Sequence, residues 1–125
     1  MVQRVYERTK QSKLLDEVIV ATDDKRIAEE VKRFQGKAVM TSVNHPNGTS
    51  RIAEAVKNFN VDLVINIQGD EPFIRFEMID ELVKVLVKDK DKVMATLCYE
   101  LNDKNKYQDE NVVKVVCDIH GNALY

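Results

Sequence analysis

The sequence alternates between short β-branched runs and longer stretches whose apolar residues recur with a helical period. Residues 17–21 and 63–67 are almost continuously apolar and rich in valine and isoleucine, which is typical of strands buried on both faces. Ile27, Val31 and Phe34 fall on one stripe of a helix that follows the first run. Strand, helix, strand, helix in this order predicts an α/β domain with a doubly wound, mostly parallel sheet.

The other predicted elements follow the same two periods. Further helices are predicted at 2–14, 52–59 and 78–86, and further strands at 38–40, 93–97 and 112–117. Asp23 or Asp24 is expected to begin the second helix, and Gly36 to end it. Thr49 is placed to cap the next helix. Residues 121–122, Gly-Asn, predict a two-residue hairpin turn near the end of the chain.

The composition limits the class of protein. The 125 residues suffice for one domain, and 44% hydrophobic with 32% charged residues are typical of a soluble globular fold. A formal net charge of −2 argues against a nucleic-acid partner, because phosphate backbones are bound by clustered positive charge. No apolar run is long enough to span a membrane, and the first residues lack the apolar core of a signal peptide. The expected location is therefore the cytoplasm, with no membrane partner.

The two cysteines, Cys98 and Cys117, each lie in an apolar stretch. The sequence predicts that both are reduced and buried as small core residues. A zinc site is not expected, because only His120 lies near Cys117 and a tetrahedral site needs several ligands at short spacing.

Polar and acidic residues follow two of the predicted strands, where ligands of open parallel sheets bind. Residues 66–72 read Asn-Ile-Gln-Gly-Asp-Glu-Pro, and Gly69 lets the backbone approach a ligand there. The carboxylate of Asp70 suits Mg²⁺ held partly by substrate phosphates. The spacing leaves open the alternative that Asp70 merely lies in a turn before a helix. For Asp23 and Asp24, helix capping is favoured over a ligand role.

A second candidate site is the loop 45–51, His-Pro-Asn-Gly-Thr-Ser-Arg. Arg51 brings a planar set of donors, and the start of the following helix adds free N–H groups, so the loop can recognise an anion or the polar edge of a base. The pattern alone slightly favours the alternative, an ordinary turn with a solvated arginine. His45 carries no argument by itself.

Together these segments resemble the 3-deoxy-manno-octulosonate (Kdo) cytidylyltransferase family, the CMP-Kdo synthetases. The likeness runs from end to end, through residues 3–8, 18–24, 45–51, 66–72, 111–116 and 121–125. It implies a fold of the nucleotide-diphospho-sugar transferase type and the reaction CTP + Kdo → CMP-Kdo + diphosphate, with Mg²⁺ as cofactor. CTP and Kdo are the implied substrates, and the full-length enzyme is implied to be a homodimer.

By position, the resemblance implies roles for five residues. Asp70 and Gln68 are implied to be catalytic residues, Asp70 as a Mg²⁺ ligand and Gln68 by reaching into the sugar and nucleotide site. Gly48, Thr49 and Arg51 are implied to belong to the loop that recognises cytosine.

The chain departs from the family pattern at two places. The family loop usually reads Ser-Gly-Thr-Asp-Arg, and Asn47 and Ser50 stand here in place of its serine and aspartate. Asn47 keeps the polarity of the serine, whereas Ser50 lacks the negative charge of the aspartate. Arg75 and Phe76 replace the Asp-Pro that often begins the fourth helix, which removes a cap worth about 0.5–2 kcal/mol.

The resemblance also implies that parts of the family's chain lie outside these residues. Members begin with a central strand and a basic loop that grips the triphosphate. They continue past the tyrosine matched by Tyr125 with a Kdo-binding and dimerisation half, which supplies a second carboxylate to Mg²⁺. Residues 1–125 are therefore expected to form a partial domain with an incomplete sheet. Alone, this chain is expected to be marginally stable and catalytically inactive.

Two alternative functions compete with this interpretation. The first is a cytidylyltransferase for another sugar acid, such as a sialic acid. The second is a receiver-like signalling domain, whose acidic phospho-acceptor pocket Asp23, Asp24 and Asp70 would imitate. A helix before the first strand and the absence of a late Lys-Pro pair argue against a receiver domain.

Overall fold

The computed structural model describes all 125 residues, which form two compact units, Met1–Ala95 and Thr96–Tyr125. The elements of the first unit are α1 (Val2–Thr9), β1 (Ile19–Thr22), α2 (Lys25–Arg33), β2 (Lys37–Met40), α3 (Gly48–Val56) and α4 (Phe76–Lys88). The second unit contains one short helix, α5 (Lys104–Gln108). None of the helices has both the length and the apolar character needed to cross a membrane.

The sheet consists of β1 and β2, which pair in parallel with Ile19 opposite Lys37 and Thr22 opposite Met40. Helix α2 is the crossover between the two strands and packs against both. The N–H of Thr41 donates to the carbonyl of Thr22 at 2.9 Å, one residue beyond the ladder. The predicted α/β class with a parallel sheet is confirmed, and the carboxyl ends of both strands lie at one edge.

Helix α2 begins and ends on identifiable side-chain and backbone signals. The carboxylate of Asp24 accepts from the N–H of Arg26 at 2.8 Å, so the expected cap is Asp24 and not Asp23. At the other end, the N–H of Gly36 donates to the carbonyl of Val31 at 2.8 Å, as in a Schellman motif. The left-handed residue of this motif is Gln35, with φ 60°, rather than the expected glycine.

Most buried apolar side chains of the first unit come from α1, α2 and α4, and Val31 and Ile79 are fully buried. The ring of Tyr6 packs against that of Phe34, with centroids 5.4 Å apart. Just after α1, the Ser12 hydroxyl donates to the carboxylate of Asp80 on α4 at 2.5 Å. These contacts fasten the first helix to the rest of the unit.

The predicted strands at 63–67 and 93–97 are wrong, and only the last two residues of the strand predicted at 112–117 are paired, in a hairpin outside the sheet. Many of their apolar side chains are exposed, and Val93 and Val113 are each 97% exposed, whereas Ile65 and Ile67 are half-buried. A β-branched run favours an extended backbone, but a strand also needs a neighbour for its N–H and C=O groups. In this structure such a ladder exists only between β1 and β2.

The second unit contains the predicted hairpin in an altered form. An antiparallel bridge joins Cys117 to Ala123, and the N–H of Leu124 donates to the carbonyl of Val116 at 2.8 Å. The loop has three residues, 119–121, instead of two, because the Asp118 carboxylate binds N–H groups within the turn and Gly121 takes φ 81°. The prediction of buried cysteines is also wrong, since both cysteines are exposed in segments that lack a covering sheet.

Candidate functional site

Arg51 lies in the first turn of α3 and joins three parts of the first unit. Its Nη2 lies 3.0 Å from Oδ2 of Asp23, directly after β1. Its Nη1 donates to Oγ1 of Thr41, directly after β2, at 2.7 Å, and to the carbonyl of Ser42 at 3.3 Å. The side chain is only 20% exposed, so the alternative of a solvated arginine is wrong. We call Asp23, Thr41, Ser42 and Arg51 the arginine clamp.

The neighbouring carboxylates of Asp23 and Asp24 bind different partners. Asp24 caps α2 and binds the guanidinium of Arg26, and these bonds lower the pKa of Asp24 to about 2. Asp23 takes no part in that cap, and its side chain binds Arg51 instead. The sequence predicted neither the partner of Asp23 nor the contribution of Thr41. Both residues directly follow strands of a parallel sheet, and that position was the available signal.

A second set of contacts holds the loop before α3. The carboxylate of Glu54, one turn after Arg51, accepts from the N–H of Ser42 at 3.0 Å and contacts Nε2 of His45. The bond from His45 is the largest cause of a lowered pKa at Glu54, followed by the Ser42 bond. His45 and Glu54 therefore fasten the loop to the same helix that carries Arg51.

The N-terminus of α3 is capped by Asn47, whereas the sequence predicted Thr49. The side-chain oxygen of Asn47 accepts from the N–H of Ser50 at 2.9 Å, and the hydroxyl of Ser50 donates to the carbonyl of Asn47 at 2.9 Å. The cap belongs to Asn47 because it occupies the last extended position before the helix. The N–H groups of Gly48 and Thr49 have no acceptor within the helix and point out of its first turn.

The structure brings Gln68 beside this helix start. A Cβ placed on Gly48 would lie 3.6 Å from Nε2 and 3.9 Å from Oε1 of Gln68. The Gln68 amide also donates to Oδ1 of Asn66 at 3.3 Å. Two motifs that are separate in the sequence, 45–51 and 66–72, therefore meet through the Gln68 side chain at Gly48.

Asp70 lies in the turn that follows Gln68. The N–H of Glu71 donates to the carbonyl of Gln68 at 3.2 Å, and the N–H of Ile74 to that of Glu71 at 3.1 Å. Asp70 is exposed, and its carboxylate makes no hydrogen bond or ion pair with the chain. No group of three or more His, Cys, Asp or Glu side chains is arranged to hold a metal ion. Asp70 thus offers one free carboxylate next to the loop of Gln68.

Comparisons with known proteins agree with the resemblance predicted from the sequence. A family profile described as cytidylyltransferase matches residues 1–125. The chain is 52% identical over 126 residues to a 3-deoxy-manno-octulosonate cytidylyltransferase of Fusobacterium nucleatum subsp. nucleatum, matching 100% of this chain and 51% of that protein. It is 48% identical to the enzyme of the same name from Thermodesulfovibrio yellowstonii, matching 100% of this chain and 52% of that protein.

A solved structure has a closely similar backbone. The structure of a CMP:2-keto-3-deoxy-manno-octonic acid synthetase complexed with CTP matches with a TM-score of 0.94 and 40% sequence identity. The match covers 99% of this chain and 51% of that one. The chain thus spans about half the length of the relatives it matches, and the expected transferase-type fold is confirmed.

Proposed function

The chain belongs to the cytidylyltransferase family, and from this premise we propose that it is the nucleotide-binding part of a CMP-Kdo synthetase. The complete enzyme would join CTP and Kdo to give CMP-Kdo and diphosphate. The observation that carries the proposal is the backbone match, with a TM-score of 0.94, to a synthetase solved with CTP. Identities of 48–52% to proteins named for this reaction support the choice of Kdo as the sugar acid.

The start of α3 is the proposed cytosine site. The free N–H groups of Gly48 and Thr49 are donors, and the amide of Gln68 next to Gly48 can donate and accept. Cytosine presents two acceptors and one amino donor on its pairing edge, whereas uracil presents a carbonyl in place of the amino group. Backbone donors facing a side-chain amide can satisfy the cytosine pattern. Arg51 keeps the loop in place, because most of its donors are bound within the clamp.

Asp70 is the proposed ligand of a Mg²⁺ ion. Mg²⁺ is commonly held by one or two carboxylates together with substrate phosphates and water, and Asp70 provides one exposed carboxylate that is bound to nothing else in the chain. The residues present therefore fit a metal that is shared with the nucleotide. When bound, the ion would neutralise charge on the phosphates.

The chemistry needs no nucleophile from the protein. The anomeric hydroxyl of Kdo attacks the α-phosphorus of CTP, and diphosphate leaves. Phosphoryl transfer of this kind is accelerated chiefly by positioning and charge stabilisation. In the proposal, the loop of Gly48 and Thr49 binds the cytosine base. Gln68 lies between the cytosine and the bound Kdo and contacts both substrates. By holding the two substrates, these residues keep the α-phosphorus of CTP close to the attacking hydroxyl of Kdo.

The test uses the complete gene product that contains these residues, supplied with CTP, Kdo and Mg²⁺. We expect diphosphate release with CMP-Kdo as the second product, and much slower release when UTP replaces CTP or a sialic acid replaces Kdo. The 125-residue chain alone is expected to give no CMP-Kdo. If the complete product releases no diphosphate with Kdo, or prefers the sialic acid, the proposed function is wrong.

Sedimentation of the same protein tests the proposed homodimer, and cell fractionation its proposed cytoplasmic location.

A further inference from the structure

We infer that Asp23 is a positioning residue that sets the affinity for CTP through Arg51, an inference that rests on the proposed function. The Asp23 side chain makes no hydrogen bond to the residues of the proposed base site. Its side chain binds the guanidinium of Arg51 at 3.0 Å, and Arg51 belongs to the helix whose first turn carries Gly48 and Thr49. The carboxylate thus acts on the nucleotide loop from the end of β1.

The clamp fixes the guanidinium in one orientation. Nη1 is occupied by Thr41 and by the carbonyl of Ser42, and Nη2 donates to Asp23. A guanidinium is planar and rigid, so contacts at two of its nitrogens determine where the remaining donors lie. The Nε proton and one proton of Nη2 have no acceptor within the chain.

Asp23 is the only clamp partner of Arg51 that carries a charge, since the other two partners are a hydroxyl and a carbonyl. Glu54, on the same helix as Arg51, adds a coulombic attraction to the guanidinium. Both charged side chains are mostly shielded, with 20% of Arg51 and 35% of Asp23 exposed. A charge-assisted bond in such a setting is stronger than a neutral one. Without it, only Nη1 of the guanidinium stays bound, to Thr41 and Ser42.

The neighbouring residue provides a matched control. Asp24→Asn removes the same charge one position along the chain, but Asp24 serves the cap of α2 and its partner Arg26. We expect Asp23→Asn in the complete gene product to raise the KM for CTP about tenfold, the scale of one lost charged hydrogen bond, with kcat changed much less. Asp24→Asn should leave that KM unchanged. Asp23→Glu, which keeps the carboxylate, should restore part of the affinity.

A double-mutant cycle decides whether the effect passes through Arg51. If it does, adding Asp23→Asn to Arg51→Ala leaves the KM for CTP within about twofold of the Arg51→Ala value. If the two substitutions raise the KM for CTP independently, so that their factors multiply in the double variant, the inference is wrong. It is also wrong if Asp23→Asn leaves the KM unchanged. If Asp23→Asn does not fold, Thr41→Val loosens the same guanidinium from β2 and enters the same cycle.

Hydrogen exchange separates this inference from the proposed function, because it needs no substrate. Asp23→Asn should speed exchange of the amides in 42–51 relative to Asp24→Asn, whose effect should fall on the first turn of α2. Unchanged exchange in 42–51 would overturn the clamp even in an active enzyme. Faster exchange in a protein that forms no CMP-Kdo would support the clamp and contradict the proposed function.

Discussion

Gly36 occupies a position where an added methyl group has no room. A Cβ at this residue would lie 2.8 Å from Cγ1 of Val31 and 2.6 Å from Cε2 of Phe34. Val31 is fully buried, and the Phe34 ring packs against Tyr6, so neither neighbour can move without disturbing the core. The change Gly36→Ala therefore sets a steric cost against the usual gain from a less flexible unfolded chain.

The two contributions have different sizes. Replacing glycine by alanine at a compatible backbone conformation stabilises a protein by about 0.4–1 kcal/mol, whereas overpacking a core costs about 1–3 kcal/mol. We expect Gly36→Ala to lower the free energy of unfolding by on the order of 1 kcal/mol. Gly69→Ala is the matched control, because no atom lies within 4 Å of its Cβ position and its φ is not left-handed. That variant should be neutral or slightly stabilising.

Urea unfolding followed by tyrosine fluorescence suits this comparison, because the chain has four tyrosines and no tryptophan. Tyr6 lies in the affected cluster. With a slope of about 1–3 kcal/mol per molar urea, the Gly36→Ala midpoint should fall by roughly 0.3–1 M. If Gly36→Ala is as stable as Gly69→Ala, the packing argument is refuted.

Three further predictions concern single side chains. Arg75→Asp places a good cap at the start of α4, where Arg75 makes no capping bond, and should raise the free energy of unfolding by about 0.5–2 kcal/mol; an unmoved urea midpoint would contradict this. Asp24 has its pKa lowered from 3.8 to about 2 by Arg26, so its stabilising contribution is complete above about pH 4 and is lost as the pH falls towards 2. Asp24→Asn should flatten the stability profile in that interval, and an unchanged acid limb in urea titrations would refute the assignment. Asp70→Asn should lower kcat of the complete enzyme about 10²–10³-fold without changing its stability, while Glu71→Gln, the neighbouring control, should leave kcat unchanged; equal effects of the two variants would remove the metal role.

Local signals were sufficient for α1 to α4 and for the parallel pair of strands, whereas the short helix α5 was not predicted. The stripe predicted at 78–86 lies inside α4, and the predicted strands at 17–21 and 38–40 overlap β1 and β2. Such elements follow from periodicity and from side chains within one or two turns. The segment 63–67 has an equally strong strand pattern but no ladder, because pairing depends on a second segment that periodicity does not reveal.

The candidate site shows the same division between near and distant contacts. Its motifs could be located from the sequence, because glycine and polar residues that directly follow the strands of an open parallel sheet commonly bind ligands. The partner of Arg51 could not be located, since Asp23 lies 28 positions away and comes close only when β1 and β2 pair in parallel. The family resemblance likewise assigned Arg51 to the cytosine loop without indicating that its guanidinium is mostly bound within the protein.

The two residues that depart from the family loop form the N-terminal cap of α3. The residues that replace the usual serine and aspartate, Asn47 and Ser50, bond to each other in both directions at 2.9 Å. Asparagine and serine are both effective at helix starts, so the pair preserves the cap although it removes one negative charge. The free N–H groups of Gly48 and Thr49 depend on this geometry and not on that charge. The substitutions therefore leave the proposed base-binding donors in place, and the arginine clamp maintains their position.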